Sequence, residues 1–156
     1  MDARKLLISL VTCLGAGGVG AVFMARSVGS WYPMLEKPFF TPPSWVFGPV
    51  WTVLYIMMGV AMYVVWNKRC QTGKDNLACL LFGTQLVLNI GWSAIFFGFR
   101  SVIGGLVVIS GLWLAISGTI QQFSKISRVA AWILTPYLVW VSFAWVLNYC
   151  FWRLNK

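Results

Sequence analysis

Residues 101–124 read SVIGGLVVISGLWLAISGTIQQFS, a stretch without a single Asp, Glu, Lys or Arg. A helix needs about 20 mainly apolar residues to cross about 30 Å of hydrocarbon, and this run meets that length. Four more charge-free runs flank it: Leu6–Ala25, Ser44–Asn67, Leu77–Phe99 and Val129–Trp152. The chain of 156 residues is 60% hydrophobic and 10% charged, against about a quarter charged in a soluble domain. Its mean hydropathy is +0.79. So little polar material cannot cover a water-facing surface, and the solvent for most of the chain is lipid. The sequence predicts an all-α integral membrane protein, a bundle of five transmembrane helices over about 6–25, 44–66, 77–99, 101–123 and 129–152. Short connections leave room for one membrane domain, residues 1–156.

The net charge of +9 points to no acidic partner. Its cations sit at the span ends, at Arg4/Lys5, Arg26, Lys68/Arg69/Lys74, Arg100, Lys125/Arg128 and Arg153/Lys156, as membrane helices place them. A nucleic-acid surface needs a basic face on a soluble fold, which this chain lacks. Five spans put the termini on opposite sides. The N-terminal side carries Arg4, Lys5, Lys68, Arg69, Lys74, Lys125 and Arg128, against Arg26, Lys37, Arg100, Arg153 and Lys156, a marginal bias toward an inward N-terminus. Arg4-Lys5 before an apolar run also suits a cleaved signal peptide. The run is long for one, and Phe23-Met24-Ala25 is a poor small-x-small cleavage site. Cys13, Cys70, Cys79 and Cys150 lack paired spacing, so neither a zinc site nor a disulfide framework follows.

Histidine is absent, which removes the usual haem ligand, the nucleophile–His pairs and most zinc sites. The three acids, Asp2, Glu36 and Asp75, fall outside the spans, so a pump built on a membrane-buried carboxylate is not expected. Rings and amides remain. Trp51, Tyr55 and Met58 share a face of the second helix. Gln85, Asn89, Trp92 and Phe96 share one on the third, and Trp140, Ala144, Leu147 and Asn148 one on the fifth, where Ala144 leaves a gap beside a large ring. Trp51, Trp92 and Trp140 suit pocket walls and core packing equally. Gln85 and Asn89 are costly in hydrocarbon and need either interhelical hydrogen bonds or a ligand. Trp66 and Trp152 suit an interfacial belt. Gly17, Ala21 and Ala25, with Gly18 and Gly20, form a small-residue stripe. Gly111, Ala115 and Thr119 form another, and Ala94 and Gly98 a third. Each serves close helix packing within the bundle or between copies in a homodimer.

The connection between the first two spans is unlike an ordinary linker. Trp31-Tyr32-Pro33-Met34-Leu35-Glu36-Lys37-Pro38-Phe39-Phe40-Thr41-Pro42-Pro43-Ser44-Trp45 holds four of the six prolines and a series of large apolar side chains. Each proline fixes its own φ and restrains the residue before it. A segment this stiff and apolar should fold back on the bundle as a lid. The second helix should start after Pro42-Pro43 with Ser44 as N-cap, with Pro49 in its first turns. The third helix should end at Arg100, and the fourth near Gln121-Gln122, with residues 125–128 as a turn. A bend is expected at Pro136 in the fifth.

This loop resembles the first-loop signature of the translocator protein (TspO) family, also called tryptophan-rich sensory proteins or peripheral benzodiazepine receptors. That signature reads W-Y-x-x-L-x-K-P-x-W-x-P-P before a Trp-containing helix start. Here Pro49-Val50-Trp51 follows, and further matches come in register: Gln85-Leu86-x-Leu88-Asn89 with Trp92 and Ile95-Phe96-Phe97-Gly98, then Pro136-Tyr137-Leu138-x-Trp140, then Phe143-Ala144-x-x-Leu147-Asn148-Tyr149. The resemblance covers nearly the whole chain. It implies a five-helix bundle whose first loop lids a cavity for porphyrins, sterols and synthetic aromatic ligands of the benzodiazepine type. Carried over by motif, that cavity is lined by Ala21, Tyr32, Trp45, Trp51, Gln85, Asn89, Trp92, Trp140, Ala144 and Leu147. Two departures bear on ligand preference. The family's Trp in K-P-x-W is Phe40 here, which retains stacking but loses an indole hydrogen bond. Ile90, Ser93 and Ala94 replace aromatic or proline residues around Trp92.

The resemblance implies a membrane binding protein with a sensory, transport or tetrapyrrole-disposal role. Protoporphyrin IX or haem would be a ligand rather than an obligatory cofactor, and membrane lipid and a second copy of the chain would be its partners. It also implies an alternative, light- or oxygen-dependent porphyrin degradation using Trp51 and Trp140, although the spans supply no acid, base or metal site for ordinary catalysis. A third possibility is sterol transport, for which Leu147, Tyr149 and Arg153 match a weak sterol pattern that a belt Tyr and a snorkelling Arg explain equally well. The membrane would be bacterial or, in a eukaryote, the mitochondrial outer membrane or another organelle membrane.

Overall fold

A computed structural model describes residues 2–72 and 76–156, with residues 69–72 and 76 described by their backbone alone. Lys74 and Asp75, and the side chains of Arg69 and Cys70, counted above, lie outside the described residues. Among the described residues, five helices are long and apolar enough to cross a membrane: α1 (Ala3–Val28), α2 (Ser44–Thr72), α3 (Asn76–Ser93, continued by a π-turn over Ala94–Gly98), α4 (Val102–Ile126) and α5 (Arg128–Leu154). α1, α2, α4 and α5 are longer than their uncharged runs, because the helical backbone continues into the cationic flanks.

Helix ends follow local chemistry. The Asp2 carboxylate accepts from the Arg4 and Lys5 amides at 3.2 and 3.4 Å and starts α1. Ser101 Oγ accepts from the Gly104 amide at 3.1 Å and starts α4. Ser44 is not a cap but the first residue of α2; the Pro43 carbonyl takes the first helical bond, from Val46 at 3.0 Å. The expected four-residue turn between α4 and α5 shrinks to Ser127, whose amide closes on the Phe123 carbonyl at 2.7 Å while its own carbonyl accepts from Ala131. Pro136 lies within a continuous α5.

The third span does not run as an α-helix to Arg100. At Ala94 the ladder widens by one residue, and the Phe99 amide donates to the Ala94 carbonyl at 2.8 Å. The extra residue turns both Phe96 and Phe97 inward, where both are buried. Arg100 then reverses the chain at φ 56°, a left-handed conformation uncommon outside glycine.

The helices close into a ring in the order α1, α2, α5, α4, α3 and back to α1. At the end holding Lys68 and Ser127, Phe82 stacks on Phe123 at 5.7 Å, and Lys68 Nζ donates to Ser127 Oγ at 3.3 Å. At the opposite end the Trp31–Trp45 loop lies over the helix termini. Between the ends, α1 packs Gly17 and Gly20 against its neighbours. A Cβ on Gly17 would meet the Tyr55 ring, and one on Gly20 would meet Ser93 Oγ at 3.1 Å. That part of the stripe therefore serves packing inside the bundle.

Candidate functional site

The loop is tied down by aromatic contacts. A single 3₁₀ turn, Tyr32–Met34, carries Pro33 at its start, where a fixed φ suits it. Trp31 meets Phe96 edge-on at 5.6 Å, and Tyr32 meets Phe97 at 5.9 Å and Phe151 at 5.7 Å. Phe40, the position where the family has Trp, reaches Phe143 on α5 at 6.3 Å. Lys37 Nζ sits 4.4 Å above the Tyr32 ring, a cation–π contact. Burial pushes the Tyr32 phenol up to about 12, so at neutral pH it is a neutral donor. Its oxygen is buried with no hydrogen-bond partner among the described residues.

Two hollows lie beneath and beside this lid. A cleft of about 300 Å³ runs between α1, α2 and α3, lined by Gly17, Gly18, Gly20 and Ala21 on one side and by Phe47, Trp51, Tyr55, Trp92 and Phe97 on the other. A void of about 20 Å³ lies under the lid among Tyr32, Phe96, Ala144, Leu147, Asn148 and Phe151. That is space for no more than a water molecule. Phe47, Trp92 and Phe97 border both hollows and so form the partition between them. Phe97 is steadied from behind by the Ser27 hydroxyl, which donates to the Phe97 carbonyl.

Deeper in the bundle runs a chain of polar side chains. Tyr55 Oη donates to Asn89 Oδ1 at 2.6 Å, and Asn89 Nδ2 donates to Tyr137 Oη at 2.8 Å. Tyr137 Oη in turn donates to Gln85 Oε1 at 2.8 Å. All four residues are buried. A second link spans α3, α5 and α4: Trp92 Nε1 donates to Asn148 Oδ1 at 3.1 Å, and Asn148 Nδ2 to the Val102 carbonyl at 2.9 Å. Replacing Asn148 by Leu strands the Trp92 indole N–H and removes the side-chain bond to the Val102 carbonyl, which sits at the start of α4. The expected loss is about 1–3 kcal/mol per stranded buried group at most, read as a lowered unfolding temperature in detergent micelles.

Of the ten pocket positions named from the sequence, Ala21 and Trp51 line the cleft, Tyr32, Ala144 and Leu147 line the void, and Trp92 faces both. Gln85 and Asn89 border neither and are engaged in the Tyr55–Tyr137 chain. Trp45 is 74% exposed on the first turn of α2. Trp140 stands 6.0 Å behind Phe47, lines an outward groove with Val50, Leu54 and Phe143, and its buried indole N–H has no partner among the described residues. In the sterol pattern, Leu147 faces the interior. Tyr149 stacks on Trp145 at 5.8 Å and Arg153 is exposed, both away from that interior face. Three residues that shape the site were not singled out from sequence: Phe47, Phe97 and Asn155. Phe47 lies two residues before Pro49, within the motif-rich start of α2. Phe97 turns inward only because of the π-turn.

The family model described as TspO/MBR matches residues 9–153. The chain is 43% identical to the tryptophan-rich protein TspO of Chlorobaculum tepidum over 156 residues, covering 97% of this chain and 99% of that one. It is 40% identical to the human translocator protein over 141 residues, covering 88% and 82%. It is 32% identical to the tryptophan-rich sensory protein of Cereibacter sphaeroides over 155 residues, covering 99% and 94%. With five spanning helices and an aromatic lid, this chain belongs to the TspO/MBR family of integral membrane proteins.

Proposed function

We propose that this protein binds flat, hydrophobic ligands of the tetrapyrrole class in the space bounded by the lid, α1, α2, α3 and α5, in a sensory, transport or tetrapyrrole-disposal role. The supporting observation is the cleft itself: a glycine-rich face of α1 stands opposite Trp51, Trp92 and Phe97. Small residues on one side and rings on the other leave a slot with a stacking wall, which suits a planar ligand. About 300 Å³ is at the small end for a ligand pocket. A large macrocycle therefore fills the slot only after the Phe47–Phe97 partition or the lid yields. The Tyr32 hydroxyl supplies a neutral donor without a partner among the described residues, and Lys37 supplies positive charge beside it. Together they suit a ligand with a polar, acceptor-bearing edge better than a plain hydrocarbon.

The test is titration of protoporphyrin IX into the protein in lipid nanodiscs, in the dark, following tryptophan fluorescence. Saturable quenching at micromolar ligand is expected, and Trp51→Ala should weaken it by about three- to tenfold, the worth of one aromatic contact. No saturable quenching of the wild type would remove the proposal. Illuminating the same samples tests the alternative of porphyrin degradation. Trp51 favours it, since this cleft-wall indole lies 5.8 Å from the Tyr55 ring and 6.3 Å from the Tyr137 ring. Loss of the porphyrin spectrum in light, abolished by Trp51→Phe, would establish that activity.

A further inference from the structure

The void under the lid is about 20 Å³, so nothing larger than water reaches Tyr32, Ala144 and Leu147 unless the lid lifts or the Phe47–Phe97 partition yields. What holds the lid down is therefore a functional question. Most of its contacts are ring edges, which slide and re-form. Among the described residues, one polar attachment joins the loop to a distant helix. The Glu36 amide donates to Asn155 Oδ1 at 2.9 Å, and Asn155 Nδ2 donates to the Glu36 carbonyl at 3.0 Å. A primary amide is the side-chain group that can accept from and donate to the backbone of one residue at once. Asn155 follows the last residue of α5, and its Nδ2 and backbone amide also donate to the Phe151 carbonyl, at 3.0 and 3.1 Å. The side chain is thus fixed on the rigid helix end and points at the loop. Phe151, one turn back, is the ring on which Tyr32 rests.

We propose that Asn155 is the latch of the lid: its paired hydrogen bonds to the Glu36 backbone set how often the loop lifts from the end of α5, and so set the rates at which ligand enters and leaves. The ligand part rests on the tetrapyrrole-binding function proposed above; the motion of the lid does not. Both partners are solvent-exposed, so the latch is weak enough to open thermally and strong enough to hold the closed state most of the time. It recognises backbone, so the Glu36 carboxylate plays no part.

Two variants and two measurements test this in nanodiscs. Without ligand, hydrogen–deuterium exchange should show the 35–37 segment exchanging about three- to tenfold faster in Asn155→Ala, the range that ordinary exposed hydrogen bonds support. Amides within α5 upstream of Phe151 should stay unchanged, and Glu36→Ala should behave as wild type. With protoporphyrin IX as probe, stopped-flow quenching should show association and dissociation accelerating together in Asn155→Ala, by a similar factor, with little change in Kd. A variant that merely damaged the pocket would speed dissociation and not association. Unchanged exchange at 35–37 in Asn155→Ala would overturn the latch, as would Glu36→Ala reproducing the effect. Faster exchange with unchanged ligand rates would overturn its gating role and point to entry through the α1–α2 cleft. Failure of the wild type to bind protoporphyrin would remove the ligand proposal, while the exchange data would still decide whether Asn155 holds the lid.

Discussion

Asn89→Leu lowers the stability of the folded bundle by about 2–4 kcal/mol, the cost of one stranded hydroxyl and of one bond lost from a second. The physical reason is the number of groups it strands. Asn89 accepts from the Tyr55 hydroxyl at 2.6 Å and donates to Tyr137 Oη at 2.8 Å, and Tyr137 and Asn89 are about as buried as any residues in the protein. A leucine of similar size leaves the Tyr55 hydroxyl without its acceptor and Tyr137 with one partner of two. A buried polar group left unsatisfied costs about 1–3 kcal/mol, and no water in the hydrocarbon core relieves it. Interhelical hydrogen bonds between membrane helices average only about 0.6 kcal/mol in mutant cycles. That figure is a net exchange in which unfolded helices find other partners, whereas here the cost is an orphan left in the folded state. The distinction can be measured. In a Tyr55→Phe background the first orphan is already gone, so Asn89→Leu should cost about 1–3 kcal/mol less. Thermal unfolding of the four proteins of this cycle in one detergent provides the coupling. Additive effects would show that the chain of hydroxyls and amides is not a cooperative unit.

The same chain marks the boundary of what the sequence reveals. Five spans are legible because length and absence of charge are sufficient for a membrane helix, and the lid is legible because an apolar, proline-stiffened loop has to lie on something. The inward faces of α2, α3 and α5 follow from helical spacing. Which partners meet across them does not: Asn89 and Tyr137 are 48 positions apart and Gln85 and Tyr137 are 52, and no local pattern encodes that pairing. The π-turn is equally hidden. Ala94–Gly98 reads as more helix, and the contact that accompanies its extra residue, the Phe97 carbonyl held by Ser27, comes from 70 positions away. Trp51 and Trp92, named from the family resemblance, line the cleft, yet Phe47, which with Trp92 and Phe97 separates cleft from void, carries no signal beyond being one more aromatic in a chain with many. Asn155 was illegible for a different reason. It is a polar residue at a helix end, and only the fold of the loop makes it a partner of Glu36.

Gly17→Ala is the second change with a large expected effect, and its origin is steric. A Cβ at this position would lie 2.5 Å from Tyr55 Cδ2 and 2.6 Å from Cε2, well inside van der Waals contact, so either α1 or the ring has to move. Added bulk in a packed core ordinarily costs about 1–3 kcal/mol. Here the ring cannot step aside for free, because its hydroxyl is anchored to Asn89 and its edge forms part of the cleft wall beside Trp51. Expelling the ring breaks the polar chain from its other end, so the expected cost lies at the upper end of that range. Gly18, the next residue along, provides the contrast. It lines the same cleft, but a Cβ there meets nothing within 4 Å. Gly18→Ala should therefore keep the wild-type unfolding temperature, while Gly17→Ala lowers it and Gly17→Ala with Tyr55→Leu recovers part of the loss. Equal unfolding temperatures for the two alanine variants would mean that α1 slides freely against α2. The small-residue stripe would then be a flexible seam rather than the fixed wall from which the cleft takes its shape.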